Sequence, residues 1–109
     1  MPAASGRCTA PKIRGTLSDS EFDLYLNMLK ALGHPVRLKM VDLIQAGGGE
    51  ICVCEFENYF NLSQPTISHH LKILRDAGII RSRQDGSWVR HSIEQVAFAH
   101  IRDLIATFG

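Results

Sequence analysis

Apolar residues recur at helical spacing through most of this chain and alternate in only one short region. Ser18-Asp19-Ser20-Glu21 carries the capping-box signal, and Phe22, Tyr25, Leu26 and Leu29 follow at helical spacing, which predicts a helix over about 19–32 stopped at Gly33. Pro35 opens a second helix with Val36, Met40, Leu43 and Ile44 inward, and Gly47-Gly48-Gly49 closes it. A short third helix runs from about Cys52 or Val53 to Tyr59, and a turn through Asn61 leads to a fourth. In the fourth, Ser63 is an N-cap, Pro65 falls in the first turn, Ile67, Leu71 and Leu74 recur at i, i+4 and i+7, and Gly78 is placed as the C′ residue. Ile79–Gln84 and Ser87–Ile93 flank Asp85-Gly86, a hairpin signal. A fifth helix, from Ile93 or Glu94 to Phe108, lines up Ala97, Ile101, Leu104, Ile105 and Phe108.

Two helices joined by a short turn make a helix-turn-helix, and a two-stranded hairpin after it makes a wing. The expected fold is therefore mainly α: a winged helix-turn-helix of about five helices plus a two-stranded β-hairpin wing. Residues 1–17 read as a flexible tail and residues 18–109 as the folded domain. The first and last helices are more apolar than a core this small can cover, so a homodimer across them is expected.

The polar positions then become informative. At 100° per residue, Ser68, His69 and Lys72 point away from the apolar stripe of the fourth helix, while Ser63, Gln64 and Thr66 stand at its N-terminal tip. Gln and Ser/Thr read base edges in a major groove, and Lys with a helix N-terminus holds phosphate. Charge supports that use. Residues 18–60 hold three basic residues against seven acids, whereas residues 61–93 hold five basic residues against two acids, with three histidines besides. Positive charge thus collects around the fourth helix and the hairpin, where Arg83 and Arg90 flank the tip. Double-stranded DNA is the expected partner.

With 109 residues and 45% apolar content the chain has room for one globular domain. No apolar run reaches the length of a membrane span, and the first residues lack a signal-peptide core, so a cytoplasmic protein without a membrane partner is expected. A Gly-rich phosphate loop, an activated nucleophile and an acid–base pair are all missing, so neither an enzyme nor a small-molecule substrate is expected. Three cysteines in a reducing compartment point to metal or redox chemistry instead of a disulfide framework. Two of them, Cys52 and Cys54, sit at i, i+2 where the third helix begins. A helix interior would aim them apart, but an irregular first turn can bring both sulfurs to one soft ion, and nearby backbone N–H groups favour thiolate. Two packed structural cysteines are the plainer alternative.

The segments Leu32-Gly33-His34-Pro35-Val36-Arg37-Leu38, Ile51-Cys52-Val53-Cys54-Glu55-Phe56 and Leu62 to Lys72 resemble the ArsR/SmtB family of metal-sensing repressors over roughly residues 20–95. The resemblance implies a dimeric winged helix that binds operator DNA when apo and releases it on metal binding. Arsenic-sensing members often carry Cys-Val-Cys-Asp-Leu-Cys here; Cys52 and Cys54 match, but Glu57 stands at the third position. As(III) prefers three thiolates, which makes Cys8, reaching across from the other subunit, the candidate third ligand. A methylated As(III) needs only Cys52 and Cys54. Cd(II), Pb(II) or Zn(II) on the same thiolates, or a thiol redox switch, are alternatives. The family's other common site, on the last helix, finds half a set in His100 and Asp103, with non-ligating Ser87 and Val89 where the partners would fall.

Overall fold

A computed structural model describes residues 13–48 and 50–109. Five helices form where the apolar spacing places them: α1 Asp19–Leu32, α2 Pro35–Ala46, α3 Val53–Phe60, α4 Gln64–Asp76 and α5 Gln95–Phe108. Each start has a local cause. The Ser18 hydroxyl accepts the Glu21 N–H at 3.2 Å while the Glu21 carboxylate accepts the Ser18 N–H at 2.9 Å. His34 caps α2, its Nδ1 accepting the Val36 N–H at 3.1 Å, ahead of Pro35. The stop of α4 is a Schellman motif. The Gly78 N–H reaches the Arg75 carbonyl at 2.9 Å and the Ile79 N–H reaches the Leu74 carbonyl at 3.0 Å. Gly78 has φ +76°, which a Cβ would strain.

The sheet differs from the sequence expectation. The wing hairpin, β2 Ile80–Asp85 and β3 Trp88–Ile93, is joined by a third strand, β1 Glu50–Cys52, in the order β1-β3-β2, so the sheet is three-stranded and antiparallel. Three residues are too few to show an alternation, so β1 leaves no periodic trace in the sequence. The hairpin also turns one residue later than expected: β2 continues through Asp85, which pairs with Trp88, and Gly86 takes the first loop position with φ +63°.

One core holds these layers together. Ile67, Leu71 and Leu74 of α4 meet Met28 and Ala31 of α1, Met40 and Ile44 of α2, Phe56 of α3, and Ile79 and Ile80 at the start of the wing. On α1 the inward face is Tyr25, Met28 and Ala31, and Phe22, Leu26 and Leu29 stay 54%, 43% and 45% exposed, in keeping with a helix more apolar than the core can cover. On α5 only Ala97 and Leu104 are buried, and Ile105 and Phe108 are exposed. These helices pack against each other, and each leaves a second set of apolar residues exposed. No helix among the described residues is long and apolar enough to cross a membrane.

Candidate DNA interface and thiol pair

The tip of α4 is built on Ser63. Its hydroxyl accepts the Thr66 N–H at 3.4 Å and meets the Thr66 hydroxyl at 2.9 Å, which leaves one face of each oxygen toward solvent. Gln64, Thr66, Ser68, His69 and Lys72 are all exposed, as their angular positions require. Lys72 is already engaged, its Nζ lying 2.6 Å from Asp76 one turn on, and that hydrogen bond holds the Asp76 carboxyl below its usual range. The next residue after His69 behaves oppositely. His70 is buried, its Nδ1 3.1 Å from an Arg37 guanidinium nitrogen and its ring 4.6 Å from that of His34. Burial first, then the fields of His34, Arg37 and His69, push His70 down from its ordinary value. Arg37 in turn donates through Nε to the Ala31 carbonyl at 2.6 Å. A contact network therefore fastens α4 to α1 and α2 directly behind its exposed face.

Two of the three wing arginines are likewise paired. Arg90 Nε lies 3.0 Å from Asp85 across the hairpin, and Arg83 lies 3.0 Å from Glu50 on β1. Asp85 raises the Arg90 pKa most, and Cys52 adds to it. Beneath the wing, His91 is 3% exposed. Its Nδ1 is 2.8 Å from the Ser82 hydroxyl, which Arg75 of α4 also approaches at 3.4 Å, and its buried Nε2 has no partner among the described residues. Burial, and then Arg75, push His91 down as well.

The cysteines occupy a junction. Cys52 ends β1 and is the N-cap of α3, with extended φ −94° and ψ 155°; Cys54 lies in the first helical turn. Cys52 is half-buried and Cys54 exposed, and both are free thiols. Glu55 turns back to accept the Cys52 N–H at 3.0 Å. Cys8 lies outside the described residues. Among the described residues no group of three or more His, Cys, Asp or Glu side chains is placed to share a metal ion. His100 instead packs by Tyr25, ring centroids 6.5 Å apart, and Asp103 is exposed.

Sequence reasoning missed the carboxylate partners of the basic residues. Lys72 and Asp76 stand four apart on a helix, a legible spacing. Glu50 and Arg83 are 33 apart and meet only because β1 exists.

Helix-turn-helix plus three-stranded wing defines a winged helix-turn-helix DNA-binding domain. The same architecture is seen in the homodimeric winged helix-turn-helix DNA-binding domain of a possible ArsR-family regulator of Mycobacterium bovis, with a TM-score of 0.65, 24% identity, and coverage of 86% of this chain and 90% of that one. A crystal structure of a possible transcriptional regulator for arsenical resistance superposes with a TM-score of 0.67 at 29% identity over 75% of this chain and 83% of the other. Residues 34–82 match the bacterial regulatory protein arsR family, and an uncharacterised HTH-type transcriptional regulator of Methanocaldococcus jannaschii is 41% identical over 68 residues, 62% of this chain and 75% of the relative. The chain belongs to the ArsR family of transcriptional regulators. It is 46% identical over 66 residues to the arsenic resistance transcriptional regulator ArsR1 of Pseudomonas putida, 61% of this chain and 51% of that protein. It is also 33% identical over 78 residues to a cadmium resistance regulatory protein CadC homologue of Staphylococcus aureus, 72% of this chain and 61% of that protein. The chain thus spans about half the length of the P. putida relative.

Proposed function

We propose that this protein is a repressor that binds operator DNA as a homodimer and releases it when Cys52 and Cys54 capture As(III) or a methylated As(III). The observation that carries this reading is the place of the thiols: one caps and the other lies in the first turn of the helix that feeds directly into the reading helix. A ligand drawing the two sulfurs together acts on the start of α3, and α3 is joined to α4 by only Asn61–Ser63. The exposed stripes of α1 and α5 support the dimer, since two copies would cover Phe22, Leu26, Leu29, Ile105 and Phe108 together. Two-fold symmetry then sets two α4 helices against a palindromic site. Ser63, Gln64, Thr66, Ser68 and His69 serve base and backbone recognition; Lys72, Arg83 and Arg90 serve phosphate. Arsenic-resistance relatives favour As(III), and Cys8 of the second subunit would supply a third thiolate.

A second reading, Cd(II), Pb(II) or Zn(II) on the same thiolates, is favoured by the cadmium-resistance relative and by thiolate softness. A titration of the reduced protein on its promoter DNA with each ion in turn distinguishes them. As(III) releases DNA from the wild type and not from Cys52→Ser or Cys54→Ser; release by As(III) from both variants sinks the thiol assignment. Gln64→Ala or His69→Ala costs roughly 1–3 kcal/mol on the specific site. In the same assay Cys8→Ser decides between two thiolates and three: unchanged sensitivity means two suffice.

A further inference from the structure

The thiol pair and the wing are connected by a strand of three residues. Within β1 only Ile51 turns inward, facing His91 and through it Ser82. Glu50 and Cys52 lie on the outer face, where strand register sets Glu50 beside Ser92 and Arg81, and Cys52 beside Arg90 and Arg83. Two of the three wing arginines, Arg83 and Arg90, are held by carboxylates on this face, but the carboxylates differ in origin. Asp85 belongs to the hairpin and moves with Arg90. Glu50 belongs to β1, two residues before the thiol that caps α3, and reaches Arg83 from outside the hairpin at 3.0 Å.

Resting on the thiol and DNA roles proposed above, we propose that Glu50 is a positioning residue that reports the state of the thiol pair to the wing, holding Arg83 from the phosphate backbone more firmly once Cys52 and Cys54 share a ligand. β1 pairs with β3 alone and has one buried side chain, so without ligand it yields Arg83 to a phosphate at small cost. A ligand across Cys52 and Cys54 ties the end of β1 to the first turn of α3, which the fully buried Phe56 anchors in the core. Phosphate then competes with a fixed carboxylate instead of a movable one. The pair is 62% and 43% exposed, so the effect is a few-fold, not orders of magnitude.

The test measures binding of the reduced protein to a random-sequence duplex, because a phosphate contact needs no operator. Without arsenical, Glu50→Gln binds about two- to five-fold tighter than wild type, with a salt slope steeper by up to about 0.9. In an Arg83→Ala background the same substitution changes nothing. Glu50→Gln binding no tighter than wild type, or a gain that persists without Arg83, overturns the hold. Adding sodium arsenite releases wild type by a larger factor than Glu50→Gln. Equal factors overturn the link between thiols and wing. If arsenite leaves wild type bound while the Arg83-dependent gain is intact, the thiol-ligand reading above has failed and the reporting role falls with it.

Discussion

The two helices of the helix-turn-helix begin alike in backbone and differently in chemistry. Ser63 and Cys52 are both N-caps in extended conformation, with ψ 155° in each. Ser63 satisfies an orphan N–H with its hydroxyl. Cys52 puts there a sulfur, a weak acceptor, and its own N–H is served by Glu55 from within the helix. The fourth helix is therefore capped by a strong acceptor, whereas the helix before it carries a weak one at the same place. A cap is worth about 1 kcal/mol, small beside a core contact and large enough to measure.

The largest way to break the contrast is through the core that both helices share. Leu74 is fully buried beneath α4, and Leu74→Ala is expected to lower unfolding free energy by about 2–5 kcal/mol in urea titration. A loss below about 1 kcal/mol would mean that α4 is not seated as described.

Acid should act next, and on α4 and the wing instead of on the α3 junction. His70 and His91 both have folded-state values pushed below the ordinary 6.5. The unfolded chain then takes up protons that the folded one refuses. Stability is level above that value, falls as pH drops below it, and stops falling from this cause beneath the folded-state values. Chemical denaturation across pH 5–8 reads the slope, and His91→Leu removes part of it. An acid limb unaltered in that variant would show that the buried imidazole is not among its sources.

The finest test is the cap itself. Ser63→Ala is expected to cost about 1 kcal/mol, and Cys52→Ser to stabilise by about 0.5 kcal/mol, because serine restores the better capping atom. Opposite signs in one thermal-unfolding series sharpen the comparison. A destabilised Cys52→Ser would instead make Cys52 a packing residue.

The sequence disclosed what repeats. Ile67, Leu71 and Leu74 announce α4 by spacing, and Ser18 to Glu21 announces α1 by hydrogen-bond chemistry that needs no tertiary partner. What it hid depends on contacts between distant segments. β1 exists because β3 offers it a ladder, and only then does Glu50 meet Arg83. Which stripe of α1 turns inward was left open for a related reason: Phe22, Leu26 and Leu29 follow the helical period, and periodicity marks a stripe as apolar without saying what covers it. Of the candidate site, the exposed tip of α4 was legible from angle alone, while His70, one residue from His69, is buried by its contacts with α2.

Asn61 closes α3 in the left-handed region, at φ 53° and ψ 43°, and its N–H reaches the Glu57 carbonyl at 3.0 Å. Asparagine tolerates that region at modest cost, and a β-branched residue would not. The Asn61 dihedrals are therefore among the few, over Asn61–Ser63, that set the angle between α3 and α4. Mechanically this is a lever with a stiff pivot. An eight-residue helix is about 12 Å long, so tilting α3 by about 10° about Asn61 displaces its far end by about 2 Å. Hydrogen bonds to a base edge tolerate only a few tenths of an ångström. A tilt of that size at the pivot moves the thiol end of α3 relative to α4 by several times that tolerance.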